Sequence, residues 1–487
     1  GVSNMSALPG RYYQPNVGNQ EAQWLDLADT QNINLSAGLG LGNFSLSAAW
    51  FGNRAANHFL YDDPYGRRRR KESNEIWDTG LSVSAVNEFS NLSKLILTGN
   101  VYYGDKNIPP SGYSELFDKV YDISARENIM LEMPRALHDT LAMEASASHA
   151  VQHTDSAGMT NKTQALTVIN RWAWYPASRV SLRAGWDYRY AFVQTAAFHD
   201  RHDGGIYLAA EWLPVPAFTV IPSIKLAAES GGRFVPVPKL GLLWKPDSAI
   251  VVKNNYFRSF KFPDLTDLYW QDVSSRGDPG LKPEDGWGGD IGIAWNHMTA
   301  AGLRITLEQN AYVQWYDNSI HWYGDTGGWK PQNVGGSFFH GLDVNVRFVL
   351  PLRRPSRTFL SCALSGQYMS SYLLAYGYTL EADKRIPYMP AFRGGAHLEL
   401  AWQTGSAAIA GSYTGLRYTE GFVATLPPYF LLTLNVNQKI GRRLNAFGVI
   451  RNALNQSYQS FKDYPMPGIT VTLGINVHIE KEREETL

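Results

Sequence analysis

The sequence predicts an all-β protein, a closed transmembrane antiparallel barrel of roughly 22 strands, and three observations carry that prediction. First, Ile469, Val471, Leu473, Ile475, Val477 and Ile479 alternate with Thr470, Thr472, Gly474, Asn476 and His478, the two-residue period of a strand with one apolar and one polar face. Second, short turns and long polar connections alternate along the chain, which is how a barrel with tight turns at one end and long loops at the other reads. Third, hydrophobic residues make up 44% at a mean hydropathy of −0.27. No run approaches the roughly 18 apolar residues of a membrane helix, so a membrane location requires strands.

The short connections carry turn residues: Gly42-Asn43, Phe89-Ser90-Asn91, Tyr175 to Ser178, Leu213 to Pro216, Lys245 to Ser248, Gln403 to Gly405 and Gly441-Arg442. The long ones are 53–75, 105–125, 153–162, 195–204, 261–285, 319–335, 373–390, 419–429 and 453–467. Between them the first strands fall near 20–28, 31–41, 43–53, 76–88, 93–104, 126–133, 139–152, 161–174, 179–194 and 205–213. The remainder fall near 217–228, 233–244, 249–260, 285–296, 302–318, 336–350, 357–372, 391–402, 406–418, 429–440, 443–452 and 468–479. Residues 1–19 are then a segment leading into a barrel over 20–479, and 480–487 are a charged tail.

Individual strands carry the same two-face logic. Ile305, Leu307, Ala311, Val313 and Trp315 oppose Thr306, Glu308, Asn310, Tyr312, Gln314 and Tyr316; Leu342, Val344, Val346 and Phe348 oppose Asp343, Asn345 and Arg347. A basic side chain in the middle of the lipid face costs about 2–4 kcal/mol, so the polar faces are expected to line a wet lumen. Trp172, Trp174, Tyr175, Trp186, Trp212, Trp244, Trp295 and Trp315 sit beside turns, as interfacial girdles require. Cys362 alternates with Leu360 and Leu364 on the apolar face and reads as a small buried hydrophobe.

Lys and Arg total 44, and so do Asp and Glu, a balance that excludes an electrostatic nucleic-acid partner. The basic run Arg67 to Lys71 reads as a solvated or lipopolysaccharide-facing patch. No nucleophile elbow, His-Glu-x-x-His, P-loop or dinucleotide fingerprint occurs, so no enzyme and no cofactor are predicted. In His199-Asp200-Arg201-His202-Asp203 the candidate metal ligands are His199 and His202, but Arg201 sits among them and the spacing fits no established ligand set. His149 and His153 share a strand face about 13 Å apart, too far to chelate together.

Four segments resemble the TonB-dependent outer-membrane transporters, and most closely their cobalamin and siderophore branch. They are YFRSFKFPDLTDLYWQDVSSRGDPGLKPEDGWGGDIGI at 256–293, FFHGLDVNVR at 338–347, IPYMP at 386–390 and the closing hairpin NALNQSYQSFKDYPMPGITVTLGINV at 452–477. They follow the family's order through the C-terminal half, while the N-terminal half matches in layout only. The resemblance implies active import of a scarce bulky solute, a siderophore, metal chelate or corrinoid, energised by the TonB complex through a plug. Nothing in 1–30 resembles the plug or its TonB box, and the last strand runs into a charged tail where the family usually ends in an aromatic residue.

Within those segments Arg258, Pro263, Tyr269, Pro279, Pro283, Glu284, Asn452, Asn455, Tyr458, Pro465, Pro467 and Gly468 read as structural, with the prolines presetting φ and Gly468 permitting a positive φ. Loop aromatics Tyr61, Tyr65, Tyr113, Tyr269, Trp270, Trp322 and Trp329 are the substrate-contact candidates. The expected partners are outer-membrane lipid and lipopolysaccharide, the TonB complex and a small solute, with the chain a monomer. The rival reading is a plugless, porin-like passive channel or a surface receptor. A bore this wide is expected to conduct freely unless a loop such as 261–285 folds inward as a lid or a separate chain supplies the plug.

Overall fold

In the computed structural model, residues 2–6, 11–13, 24–26, 30–57, 59–62, 68–71, 75–108, 118–136, 139–156, 159–271, 275–325, 328–353, 358–374, 385–419, 424–462, 464–477 and 479 are described. Twenty-two strands form one antiparallel sheet that closes on itself. The first six are β1 Val2–Ser6, β2 Thr30–Leu41, β3 Phe44–Ala55, β4 Ile76–Glu88, β5 Lys94–Ile108 and β6 Asp118–Met133. Next come β7 Leu141–Ser156, β8 Met159–Ala177, β9 Val180–Gln194, β10 Phe198–Val215, β11 Phe218–Glu229, β12 Phe234–Trp244 and β13 Ile250–Lys261. The last are β14 Glu284–Met298, β15 Arg304–Asp325, β16 Gly328–Arg353, β17 Thr358–Leu374, β18 Phe392–Trp402, β19 Gly405–Thr414, β20 Tyr429–Ile440, β21 Leu444–Arg451 and β22 Thr470–Val477. One helix, α1 Leu265–Tyr269, lies among the described residues. Closure comes from β1, which pairs with β22 on one side and β2 on the other.

The count agrees with the sequence, but one strand is a different segment. Val2–Ser6 enters the barrel, while Trp24–Asp26, expected inside it, pairs with Arg11–Tyr13 in a separate ribbon. The barrel therefore begins well before residue 20.

Four expected long loops are wholly or partly ladder, among them 105–125, where Asp105–Ile108 pairs with Asp118–Tyr121. Asp155 pairs with Thr160, so 153–162 is a tight hairpin; β10 begins at Phe198, leaving 195–197 as its connection; and β15 and β16, of 22 and 26 residues, stay paired up to Asp325 and Gly328. These strands extend past the aromatic ring, where both faces meet water and the apolar alternation that marks a strand is lost.

Pairing fixes the two faces. On β22, Val471, Leu473 and Ile475 are half exposed and lie opposite Thr470, Thr472 and Asn476. Trp174, Tyr175, Trp212 and Trp244 form an exposed ring at the turn end, and Trp77, Trp287 and Trp315 another toward the loop end. Trp186, expected beside a turn, lies mid-strand on the same outer face. The inner faces carry the polar and charged residues, including Asp343, Asn345 and Arg347 on β16.

The inner wall is uneven. Across β7 to β11 it holds ion pairs, Arg171 with Glu144, Arg183 with Glu211 and Lys225 with Asp187 at 2.7 Å. Midway along β2 to β5 it is small and neutral, with Ser36, Ser47, Ser82, Ser84, Thr98 and Asn100 around a recess of about 480 Å³.

Candidate functional site

The connection between β13 and β14 turns into the barrel mouth. Its sequence explains why: Leu265, Leu268 and Tyr269 lie at helical spacing, which gathers them on one face of α1. Leu265 is 9% exposed and packs on Ala191 and Val193, both on the inner face of β9, with Leu268, Tyr269 and Ala165 closing the cluster. Spacing of i, i+3 and i+4 in a segment otherwise read as loop is the signal that could have revealed this helix.

Side chains of the wall then hold the loop in place. The His199 ring stacks flat on Tyr269, with centroids 3.7 Å apart and planes 4° from parallel. Arg201, buried at 9% exposure, donates from Nη1 to the Pro263 carbonyl at 2.5 Å and from Nε to Asp203 at 3.1 Å, and its guanidinium lies 5.9 Å from the Phe262 ring. Asn161 on β8 donates to the Gln271 carbonyl at 3.3 Å.

The opposite flank is tied to the β15–β16 hairpin. Trp322 Nε1 donates to Asp267 Oδ1 at 3.1 Å, the Arg276 amide to the Trp329 carbonyl at 2.8 Å, and Asn333 exchanges two hydrogen bonds with the Lys282 backbone. Lys330 pairs with Asp278 at 3.1 Å. The Gly280 amide, with Lys330 beside it, holds the Asp278 carboxyl below its ordinary range. At Gly277 any Cβ would fall 2.6 Å from the Leu268 backbone, so the loop folds back on α1 only through glycine. The segment thus bridges β8–β10 and β15–β16 just inside the rim.

A second anchor joins other loop-end segments. Arg417, 4% exposed, donates to the carbonyls of Ser460 and Gln459 at 3.0 and 2.9 Å and lies 5.0 Å from the Tyr429 ring. Tyr429 in turn packs on Tyr458, and Tyr388 on Phe461. Nothing in the sequence singled out Arg417.

The sequence candidates separate by position. Tyr269, Trp270, Trp322 and Trp329 come together on or beside the inward loop, Trp329 through its backbone. Tyr61 lies in the backbone ribbon Phe59–Asp62, whose partner Arg68–Lys71 holds most of the basic run, while Tyr65 and Tyr113 lie outside the described residues. His199 faces the lumen and His202 the outside, because period-two alternation sends them to opposite walls, so they cannot share a metal. His202 instead bonds the Tyr188 hydroxyl at 2.7 Å.

Among the motif residues, Arg258 forms a two-pronged pair with Asp285 at 2.8 and 2.6 Å. Glu284 accepts from the Ile320 amide at 2.8 Å. Asn452 bonds the Gln456 backbone in both directions and the Pro467 carbonyl, and Asn455 accepts from the Ile469 amide at 2.9 Å. The left-handed conformation expected of Gly468 falls to Asn452 and Asn455, at φ of 49° and 51°, and Gly468 is required for space.

Comparison with known proteins bears on this geometry. The family described as TonB dependent receptor-like, β-barrel, matches residues 7–453. The vitamin B12 transporter BtuB of Vibrio vulnificus (strain CMCP6) is 26% identical over 256 residues, covering 50% of this chain and 39% of that protein. In structure, the FrpB iron transporter of Neisseria meningitidis superposes with a TM-score of 0.74 at 13% identity, over 92% of this chain and 80% of the other. The siderophore receptor PirA of Pseudomonas aeruginosa superposes with a TM-score of 0.70 at 12% identity, over 98% and 79%.

Proposed function

The chain belongs to the TonB-dependent receptor β-barrel family, and from that premise we propose that it imports a bulky solute across the outer membrane, energised by the TonB complex through a plug. The solute class is a siderophore, metal chelate or corrinoid, in keeping with relatives named for vitamin B12, iron and siderophores. The observation that carries the reading is the inward loop: an aromatic and charged rim of His199, Tyr269, Trp322 and Asp267 set over a polar bore. Such a rim offers flat faces and directional hydrogen bonds to a large ligand while the lumen beneath stays wet. Arg258, Glu284, Asn452 and Asn455 serve this site by fixing loop ends. Lipid and lipopolysaccharide would surround the apolar outer face.

The test is growth of a strain lacking the gene, and of the same strain complemented, with iron and then cobalamin limiting. Complementation that depends on TonB supports the reading. Equal growth without TonB would favour a passive channel, and no growth effect with either nutrient would remove these solute classes.

A further inference from the structure

On the outer wall of β8 to β11, just above the turn-end ring of Trp174, Tyr175 and Trp212, lies an open apolar groove of about 650 Å³. Register explains it. Trp174, Leu182 and Ala210 are cross-strand neighbours in one row, and Trp172, Ala184, Leu208 and Ile224 in the next. The two alanines therefore lie on a diagonal, and a trough passes over them between Leu182 and Leu208. Neighbouring strands stand about 4.7–4.9 Å apart, so one small residue per strand opens a slot suited to a single hydrocarbon chain and not to a helix about 10–12 Å across.

Two observations say what fills it. The groove begins at the tryptophan ring, which marks where hydrocarbon meets headgroups, so its lower mouth opens at phosphate level on the side of the short turns. At that mouth stands Arg179, in the β8–β9 turn. The Lys245 amide donates to the Ala217 carbonyl at 2.7 Å, which holds the β12–β13 turn against the β10–β11 turn. Both cations are exposed, and neither has a carboxylate partner among the described residues. Asp247, two residues from Lys245, instead accepts from the amides of Ala249 and Ile250 at 2.7 and 2.9 Å. Lipid tails are as apolar as leucine, so burial alone selects nothing here. The shape of the slot and the charge at its mouth discriminate, and together they fit a glycerophospholipid with an anionic headgroup.

We propose that this groove holds an acyl chain of an anionic glycerophospholipid from the leaflet on the turn side, with its phosphate on Arg179 and Lys245. The site rests on the membrane placement alone and not on which solute is carried.

The test is native mass measurement of the full-length protein after exchange into detergent containing phosphatidylglycerol or phosphatidylcholine of the same chain length. The unsubstituted protein should retain one phosphatidylglycerol and shed phosphatidylcholine under the same activation, a comparison that needs no variant. Ala210→Phe, which fills the trough, should abolish the retained lipid, whereas Ala407→Phe on the outer face of β19 should leave it. Arg179→Gln and Lys245→Gln should each lower the bound-to-free ratio about fivefold, the factor that about 1 kcal/mol per basic residue supplies. Heat-modifiable gel mobility certifies that each variant is folded. Equal retention of the two lipids, no lipid on the unsubstituted protein, an adduct that survives Ala210→Phe or is lost equally with Ala407→Phe, a ratio unmoved by both glutamines, or a protein chain in place of lipid would overturn the proposal.

Discussion

The imidazole of His199 lies face to face with the phenol ring of Tyr269, 3.7 Å away, and this contact joins the barrel wall to a loop that starts three strands away. An aromatic pair of this kind contributes about 0.5–1.5 kcal/mol beyond its buried area. Tyr269→Ala should therefore raise the open population of 262–283 up to about tenfold, because ~1.4 kcal/mol is one decade in an equilibrium constant. Conductance of the barrel in planar bilayers should rise with it. A conductance equal to that of the unsubstituted protein would mean that Leu265 and Trp322 hold the loop unaided.

Much of this architecture is legible in the sequence because lipid imposes strict alternation. Leu342, Val344 and Val346 announce β16 wherever its outer face meets hydrocarbon. The same strand is not legible from Gly328 to Gly335, where water on both sides removes the reason to alternate. Val2–Ser6 is not legible, because a strand of five residues shows too little periodicity to register. The rim is harder still. Tyr269 and Trp322 can be suspected as loop aromatics, yet their joining depends on Arg201 and Asn161, residues more than a hundred positions apart in some pairs, whose polar types look ordinary in sequence.

Burial within the projecting β15–β16 hairpin pushes the His321 imidazole below its ordinary value of 6.5. The folded hairpin thus binds this proton less readily than the unfolded one. Its contribution to stability is full above pH 6.5 and is lost as pH falls through the lower, folded value. Hydrogen exchange over 319–325 and 328–334 should quicken as pH falls below about 6.5. His321→Phe should flatten that dependence, and an unchanged pH profile in the variant would assign it to another group.

Arg417 is a buried cation whose two terminal nitrogens serve backbone carbonyls at 3.0 and 2.9 Å. Hydrogen bonds to a charged donor contribute about 1.5–3 kcal/mol each, and truncation leaves the Ser460 and Gln459 carbonyls without it. Arg417→Ala should loosen 385–391 and 456–467 together, seen as protease cuts in both segments with the barrel intact on heat-modifiability gels. Arg417→Lys should recover only part, because one ammonium cannot reproduce the two-nitrogen fork. Cleavage confined to one of the two segments would show that Arg417 does not couple them.

Gly468 sits where β22 re-enters the sheet, and a Cβ there would lie 2.3 Å from Asn455 Oδ1. That oxygen accepts from the Ile469 amide at 2.9 Å, the bond that starts the last strand, while Asn455 itself is held at φ 51°. Gly468→Ala must push the Asn455 side chain away and leave the Ile469 amide, at a solvent-exposed position, without this acceptor. Asn455→Gly removes the same acceptor without the clash and keeps the left-handed conformation open. The two single variants should lower the unfolding temperature by similar amounts, and the double variant Gly468→Ala/Asn455→Gly should be scarcely worse than either, because the alanine at 468 then has room. Additive losses in the double variant would show that Gly468 acts through its own backbone and not through Asn455.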